Sequence, residues 1–256
     1  MRHFETHIAL PPGLLSSTVV REILRLGLEQ YRWFTPIRYG TGTLRHELNP
    51  NHIDVDVLLA FYEEHECLCM AARTDQDFFY FSPARPESQR RFGRLDIFTH
   101  PKVTHKPAWR AAHIQQVTEL MRLLHSPLAF AGLAEDIESK TQRLVPEEVG
   151  QRLDFTVRNY SEGLAGLFWR NFFGPPFVRM FGERLASLPA EYRQDLGNGT
   201  VLVQPYPLPS EAGTEQGNAQ ERSLIEHLGP ECFYDHAHHT PPTRRPVLDH
   251  LSKNLP

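Results

Sequence analysis

The sequence predicts an α+β fold in which several amphipathic helices pack on a mostly antiparallel sheet, in a single globular unit. Short runs that alternate apolar and polar side chains, such as residues 3–10, predict strands. Longer segments with apolar residues at helical spacing, such as residues 20–31 and 107–124, predict helices. At 256 residues, the chain is long enough for one large domain of this class.

The first half of the chain predicts a strand, two helices and a hairpin. Pro11-Pro12-Gly13 ends the first strand, and Ser16 can cap the helix that follows. Asn51 can cap a second helix, whose first turn carries acidic side chains that the helix dipole favours. The predicted elements are a strand at 3–10, a helix at 20–31, a helix from 51 to 62, and a hairpin formed by residues 67–72 and 77–82.

The rest of the chain contains two helices with clear boundary signals. Pro107 suits the first position of the helix at 107–124, and Pro127 marks its end. Asn218 and Glu221 form a capping pattern for a later helix, which Gly229-Pro230 ends. The other predicted elements are strands at 128–133, 153–157 and 200–206 and a helix at 135–143.

Residues 163–189 form the densest apolar and aromatic stretch of the chain and predict a structural core. Apolar residues at helical spacing lie on both sides of Pro175-Pro176, so the stretch predicts two short helices joined by a rigid corner. Gly182 is expected to end the second helix. The predicted core residues are Trp169, Phe172, Phe173, Gly174, Pro175, Phe177, Phe181 and Gly182.

The predicted organisation is one α+β domain at residues 1–229, followed by an extended Pro- and His-rich tail at residues 230–256. Two parts of the domain, about 1–125 and 126–229, each contain a strand, a long helix and a Gly/Pro-rich aromatic segment. This loose similarity does not predict a duplication, because no fixed-period repeat accompanies it.

The composition excludes several classes of protein. The formal net charge is −4, without the basic excess that indicates a nucleic-acid partner. No apolar run reaches the roughly 18 residues needed to cross a bilayer, because Arg170, Arg179 and Arg184 interrupt the longest one. The first residues lack the apolar run of a signal peptide, and the three cysteines are an odd number. We therefore expect a cytoplasmic protein with free thiols and without a nucleic-acid or membrane partner.

The sequence contains no motif that pairs a nucleophile with a base or cradles a phosphate. Gly-x-Ser-x-Gly and Ser-x-x-Lys are absent, and Gly40-Thr41-Gly42 lacks the third glycine and the lysine of a nucleotide site. His113 lies on an apolar helical face, a position typical of a packed, hydrogen-bonded histidine. We predict no catalytic residue and no cofactor, so the protein is not expected to be an enzyme.

A histidine-rich tract near the C-terminus is the strongest metal candidate. Imidazole and thiolate are zinc ligands, but a zinc site usually pairs two close ligands with a distant second pair. Cys67-x-Cys69 lacks the two-residue spacing that suits such a pair. We predict no metal site, while a metal-dependent hydrolase that uses residues 236–239 stays open as an alternative. The tract contains Cys232, Asp235, His236, His238 and His239.

Charge is distributed unevenly along the first half. No Lys or Arg occurs between Arg45 and Arg73, so the second predicted helix and its exit form an acidic surface. Such a surface can simply be solvated, or it can steer a basic protein partner, which is our hypothesis. The acidic residues are Asp54, Asp56, Glu63, Glu64 and Glu66, and the basic residues that follow are Arg85, Arg90, Arg91, Arg94, Lys102, Lys106 and Arg110.

The second half presents an ordered series of apolar, Gly and Pro positions. In sequence these are Ser126-Pro127-Leu128-Ala129-Phe130-Ala131, Trp169-Arg170-Asn171-Phe172-Phe173-Gly174-Pro175 with Gly182, Leu196-Gly197-Asn198-Gly199, Val203-Gln204-Pro205 and Leu228-Gly229-Pro230. This series resembles the type VI immunity family of bacteria. Members of that family are encoded beside contact-delivered or polymorphic toxins and neutralise them by binding.

The resemblance covers about the last 130 residues and implies a non-catalytic immunity protein whose partner is a cognate toxin. The first half is similar to the family only in the arrangement of its elements, and the His-rich tail has no counterpart in it. A regulatory or scaffold module unconnected with a toxin is the other non-enzymatic alternative.

Overall fold

A computed structural model describes residues 3–74, 76–84, 92–147 and 149–248. Its contacts divide the chain into two compact units, His3–Ala129 and Phe130–Leu248. The α+β class and the predominantly antiparallel strand pairing are confirmed. The domain limits at residues 229 and 230 stay a prediction.

The first unit contains an antiparallel sheet with the strand order β1-β6-β5-β4-β2-β3. The predicted hairpin is confirmed, because Leu68 of β4 pairs with Phe81 of β5 and Ala71 pairs with Phe78. The strands are β1 (Phe4–Leu10), β2 (Arg38–Gly40), β3 (His46–Glu47), β4 (Leu68–Ala71), β5 (Phe78–Ser82) and β6 (Gly93–Thr99).

The helices of this unit are α1 (Ser17–Arg25), which continues as a π-helical turn at Leu26–Gln30, α2 (Val55–His65) and α3 (Pro107–Leu123). Ser16 caps α1 and Pro107 opens α3, as the sequence predicts. The predicted start of α2 at Asn51 is wrong. Asp54 is the capping residue because its carboxylate accepts hydrogen bonds from the backbone N–H groups of Asp56 and Val57.

The alternation along β1 explains why helices cover one face of this sheet. Phe4, Thr6 and Ile8 are buried, whereas Glu5 and His7 between them are partly exposed. The ring of Phe4 packs edge-on against Trp109 of α3 at a centroid distance of 5.4 Å. Thr6 Oγ1 lies 3.0 Å from Nε2 of His113, so His113 is a packed, hydrogen-bonded residue, as predicted.

The second unit contains a sheet with the strand order β11-β12-β10-β7 and a separate two-stranded sheet, β8-β9. The strands are β7 (Leu128–Leu133), β8 (Gln142–Pro146), β9 (Gln151–Phe155), β10 (Arg170–Phe173), β11 (Arg193–Asp195) and β12 (Val201–Val203). The helices are α4 (Ala134–Thr141), α5 (Pro175–Phe181), α6 (Glu183–Ala186) and α7 (Glu215–Leu228).

The aromatic stretch contains a strand where the sequence predicts its first helix. Residues Arg170–Phe173 form β10, which pairs with β12 through Asn171 and Val203. The buried Asn171 side chain also donates a hydrogen bond to the Val203 carbonyl, and this tertiary pairing overrides the helical spacing of the apolar residues. The predicted second helix is confirmed as α5, and Gly182 follows it with a φ of 58°. The predicted core residues Trp169, Phe172, Phe173, Phe177 and Phe181 are buried, as is Gly174. Pro175 and Gly182 are exposed, because they lie at the two ends of α5.

The C-terminal part of the second unit differs from expectation at the start of α7. Helix α7 begins before the predicted cap, because the Thr214 hydroxyl accepts from the Gly217 N–H. In the segment predicted as a tail, Cys232, Phe233 and Tyr234 are buried, and Phe233 bridges to Leu164. Residues 249–256 of the predicted tail lie outside the described residues.

Candidate functional site

The acidic face of α2, defined as Asp54, Asp56, Glu63, Glu64 and Glu66, is gathered on one helix and its two ends. Asp54 precedes the helix as its N-cap. Glu66 follows it in the left-handed conformation with a φ of 55°, and its backbone N–H donates to the Tyr62 carbonyl. Asp56 and Glu63 are seven residues apart, so they lie on the same side of the helix.

Side chains of α1 partly neutralise this face. Arg21 Nη2 lies 2.5 Å from Asp56 Oδ1, and both side chains are more than half exposed. Ser17 Oγ donates a hydrogen bond to Glu63. Glu64 is three-quarters exposed and lies 3.9 Å from the His65 imidazole. Because Arg21 supplies one positive charge against five carboxylates, the face keeps a net negative charge.

Four ring side chains adjoin the acidic face, and we call them the Phe61 cluster: Tyr39, His46, Phe61 and His65. The ring of Phe61 lies 4.3 Å from His65, 5.1 Å from Tyr39 and 5.3 Å from His46, between centroids. The side chain of Phe61 is partly exposed, and that of His46 is exposed. Sequence reasoning placed Phe61 on the buried face of the helix and missed the histidines, although Phe61 and His65 are four residues apart.

The acidic face and the Phe61 cluster together suit a cationic side chain. Lys and Arg are attracted both to carboxylates and to aromatic rings, and Arg also stacks on planar groups. Val57, which is 43% exposed on the same helix, adds apolar contact area. The outward side of α2 can therefore bind a basic protein surface without any chemical step. The predicted basic residues Arg85, Arg90 and Arg91 lie outside the described residues.

A second polar cluster lies on β1 and β6, where His7 contacts two carboxylates. Its Nδ1 is 2.7 Å from Asp96 Oδ1 and its Nε2 is 2.8 Å from Glu5 Oε2. Arg94 Nε lies 2.8 Å from the other oxygen of Asp96. Burial alone lowers the pKa of His7, but the charges and hydrogen bonds of Asp96 and Glu5 outweigh it and raise that pKa to about 9. With both ring nitrogens protonated, His7 cannot act as a general base near neutral pH.

The His7 cluster predicts a pH dependence of folding stability. Because the pKa of His7 in the folded protein lies above the ordinary histidine value of 6.5, its contribution is complete below about pH 6.5 and is lost as the pH rises through about 9. The loss is at most about 3 kcal/mol. Denaturant melts between pH 6 and 10 on the protein and on His7→Gln measure it. The difference in free energy of unfolding between the two should shrink across this range, and a constant difference would contradict the raised pKa.

A third polar cluster is buried in the second unit around Lys140 of α4. Its ammonium lies 2.7 Å from Asp136 Oδ1, 2.7 Å from Glu221 Oε2 and 2.6 Å from the Leu167 carbonyl oxygen. Tyr206 donates a 2.8 Å hydrogen bond to Glu221. Burial raises the pKa of both carboxyl groups, and Lys140 opposes this effect. The cluster joins α4 to α7, and we interpret it as structural.

The histidine-rich tract is engaged in local contacts. His236 Nε2 lies 2.7 Å from the Ala165 carbonyl oxygen, so that nitrogen carries a proton and cannot ligate a metal in this arrangement. His238 Nδ1 lies 2.7 Å from Asp235. Burial raises the pKa of the Cys232 thiol to about 11. In the part of the chain that the structure describes, no group of three or more His, Cys, Asp or Glu side chains could hold a metal ion.

Ser187 and His227 form a further pair that sequence reasoning missed. Ser187 Oγ lies 2.9 Å from His227 Nε2, but the same nitrogen lies 3.0 Å from the Arg184 carbonyl oxygen. A ring nitrogen that donates to a carbonyl cannot take the serine proton. This arrangement is therefore a helix-end contact and does not activate a nucleophile.

Within the described ranges, no helix combines the length and the apolar character needed to cross a membrane.

Comparison with known proteins defines the class of fold. No family model matches the chain, and no curated protein matches it. Among solved structures, the fold is similar to that of Pseudomonas aeruginosa T6SS protein PA0821, with a TM-score of 0.60 and 10% sequence identity. The similarity covers 89% of this chain and 72% of that chain. At this identity the similarity establishes the fold.

Proposed function

We propose that this protein is a cytoplasmic immunity protein that binds a cognate bacterial toxin and neutralises it by occlusion, without a catalytic step. Three observations support the proposal. The second half resembles the type VI immunity family, the fold is similar to that of a T6SS protein, and α2 presents a surface suited to a basic protein. Type VI secretion delivers toxins by contact, so a toxin-binding protein in the cytoplasm fits such a system.

The observation that carries the proposal is the acidic face of α2 beside the Phe61 cluster. Asp56 and Glu64 are at least three-quarters exposed, and Phe61 lies between two imidazoles and a tyrosine ring. A toxin with a basic substrate-binding face, such as a nuclease, would meet this surface as it meets a polyanion. The field would speed association, and occlusion of the substrate site would end the activity.

The alternative enzymatic function, a metal-dependent hydrolase that uses residues 236–239, would need His236 to leave the Ala165 carbonyl. A stoichiometric metal in the purified protein would favour it. A regulatory or scaffold module is the third possibility, and the genes that neighbour this one would separate it from an immunity protein.

Charge reversal at Asp56, Glu63 and Glu64 tests the role of the acidic face. Replacing each by Lys should lower the association rate with the toxin encoded beside this gene by about tenfold or more at low salt. The free energy of unfolding should change by less than about 1 kcal/mol, because these side chains are exposed. Stopped-flow association at several salt concentrations measures the rate.

Glu183, Glu191 and Glu226 provide the matched control, since they are exposed carboxylates of the second unit. Replacing these three by Lys changes the net charge by the same amount as the acidic-face variant. It should slow association with the toxin less than that variant does. Equal slowing by both triple variants would show that net charge alone matters and would remove the acidic face from the proposal.

A further inference from the structure

The hairpin formed by β8 and β9 exposes an unusual share of the large apolar side chains. In the described residues, seven large hydrophobic side chains are exposed, and four of them lie in this hairpin and its turn. Leu144 is 62% exposed, Leu153 and Phe155 are each 56% exposed, and Val149 in the turn is 93% exposed. Exposed apolar side chains that occur singly are ordinary, but a concentration of this kind marks an interaction site.

The strand register places three of these side chains on one face. Leu144 pairs directly with Leu153, and Gln142 pairs with Phe155. Since alternate residues of a strand share a face, Leu144, Leu153 and Phe155 lie together, and we call them the hairpin apolar face. The other positions on this face are Gln142, Pro146 and Gln151, so the face carries no charge.

The charged residues of the hairpin lie on its opposite face. The guanidinium of Arg143 lies over the ring of Tyr234 at 6.0 Å, and Arg143 is partly buried. Arg152 forms ion pairs with Glu147 at 2.8 Å and with Asp154 at 3.8 Å. The face of the hairpin that carries Arg143 therefore packs against Tyr234. The hairpin apolar face, on the other side, is turned to solvent.

The edges of the hairpin are also available for pairing. In the described part of the chain, β8 and β9 form a sheet of only two strands, so each strand has a neighbour on one side. The outer edge of such a strand presents N–H and C=O groups to which an extended segment of another protein can bind. A two-stranded hairpin with a solvated apolar face is marginally stable, and a third strand that pairs with one of its edges would stabilise it.

A second copy of this chain is a poor fit to the hairpin apolar face. Three side chains supply at most a few hundred Å² per copy, whereas a stable interface needs about 800 Å² from each partner. The face also lacks charges that could fix the register of a symmetric pair. A larger partner that contacts a second surface as well removes both difficulties.

We propose that the hairpin is a second contact surface for the cognate toxin. It binds an uncharged, apolar, extended segment of the toxin. This segment pairs with an edge of the hairpin as a third strand, and its same-face side chains pack beside those of the hairpin apolar face. This inference rests on the proposed function. The acidic face of α2 sets the association rate, and the hairpin apolar face sets the lifetime of the complex, because apolar contacts form after encounter.

The test replaces both Leu144 and Leu153 by Ser and measures binding to the toxin encoded beside this gene, in a catalytically inactivated form. We expect dissociation about tenfold faster or more, since two apolar side chains lose their burial, with the association rate within about twofold. Val247→Ser is the matched control, because Val247 is as exposed as Leu144 but lies outside the hairpin. Its dissociation rate should not change.

Amide hydrogen exchange adds a readout for strand addition. Backbone amides of residues 142–145 or 151–155 should exchange more slowly in the complex than in the protein alone. Sedimentation of the protein alone should show a monomer at concentrations used for binding. A dimer that the double Leu variant dissociates would assign the face to a second copy and overturn the inference.

The outcomes separate this inference from the proposed function. If the unchanged protein binds the toxin and the double Leu variant dissociates at the same rate as it does, the hairpin inference is wrong while the immunity function stands. If the unchanged protein does not bind the toxin at all, both are wrong.

Discussion

Replacing Phe172 by Ala is expected to lower the free energy of unfolding by about 3 to 5 kcal/mol. Phe172 is fully buried in β10, where it pairs with Leu202 of β12. The side chains around a rigid strand cannot collapse fully into the space that the ring leaves, so a cavity cost adds to the lost burial. Denaturant melts on the two proteins measure the difference.

Phe155 provides the matched control, because it is a phenylalanine in a strand of the same unit but is 56% exposed. Phe155→Ala should cost less than about 1 kcal/mol. A loss below about 1 kcal/mol for Phe172→Ala as well would show that the aromatic stretch is peripheral to the fold, as a surface site would be.

Replacing Lys140 by Met should also lower the free energy of unfolding by about 3 to 5 kcal/mol, because it leaves the buried carboxylates of Asp136 and Glu221 without their cation. The Leu167 carbonyl loses its hydrogen bond at the same time. Since the carboxyl groups would then be favoured in the protonated form, the loss should be smaller at pH 5 than at pH 8. Melts at both pH values measure it.

Lys102→Met is the control for the general effect of removing a lysine, because Lys102 is exposed. Its effect should stay within about 0.5 kcal/mol. If both variants lost the same free energy of unfolding at both pH values, the Lys140 cluster would not join α4 to α7 in the way that its geometry indicates.

The fold was predictable from the sequence where local signals and tertiary structure agree. Ser16 and Pro107 identify the starts of α1 and α3, and the β4–β5 hairpin follows from two apolar runs separated by a short turn. The strand β10 was not predictable in this way. Its apolar residues have helical spacing, and its pairing with the distant β12 decides the conformation.

The candidate site was predictable only in its charged part. The run without Lys or Arg identifies the acidic face of α2, because charge is visible residue by residue. The Phe61 cluster depends on the packing of β2 and β3 against α2, which brings Tyr39 and His46 to Phe61 across long sequence separations. The hairpin apolar face was missed because part of β8 was predicted as the end of a helix, and Leu144 therefore had no strand partner.

The most direct measurement of the central claim is the activity of the neighbouring toxin, titrated with the purified protein. The immunity proposal predicts that activity falls to background at stoichiometric amounts of the protein, and that co-expression protects a toxin-sensitive host. Full toxin activity in the presence of excess protein, with no complex on gel filtration, would contradict it.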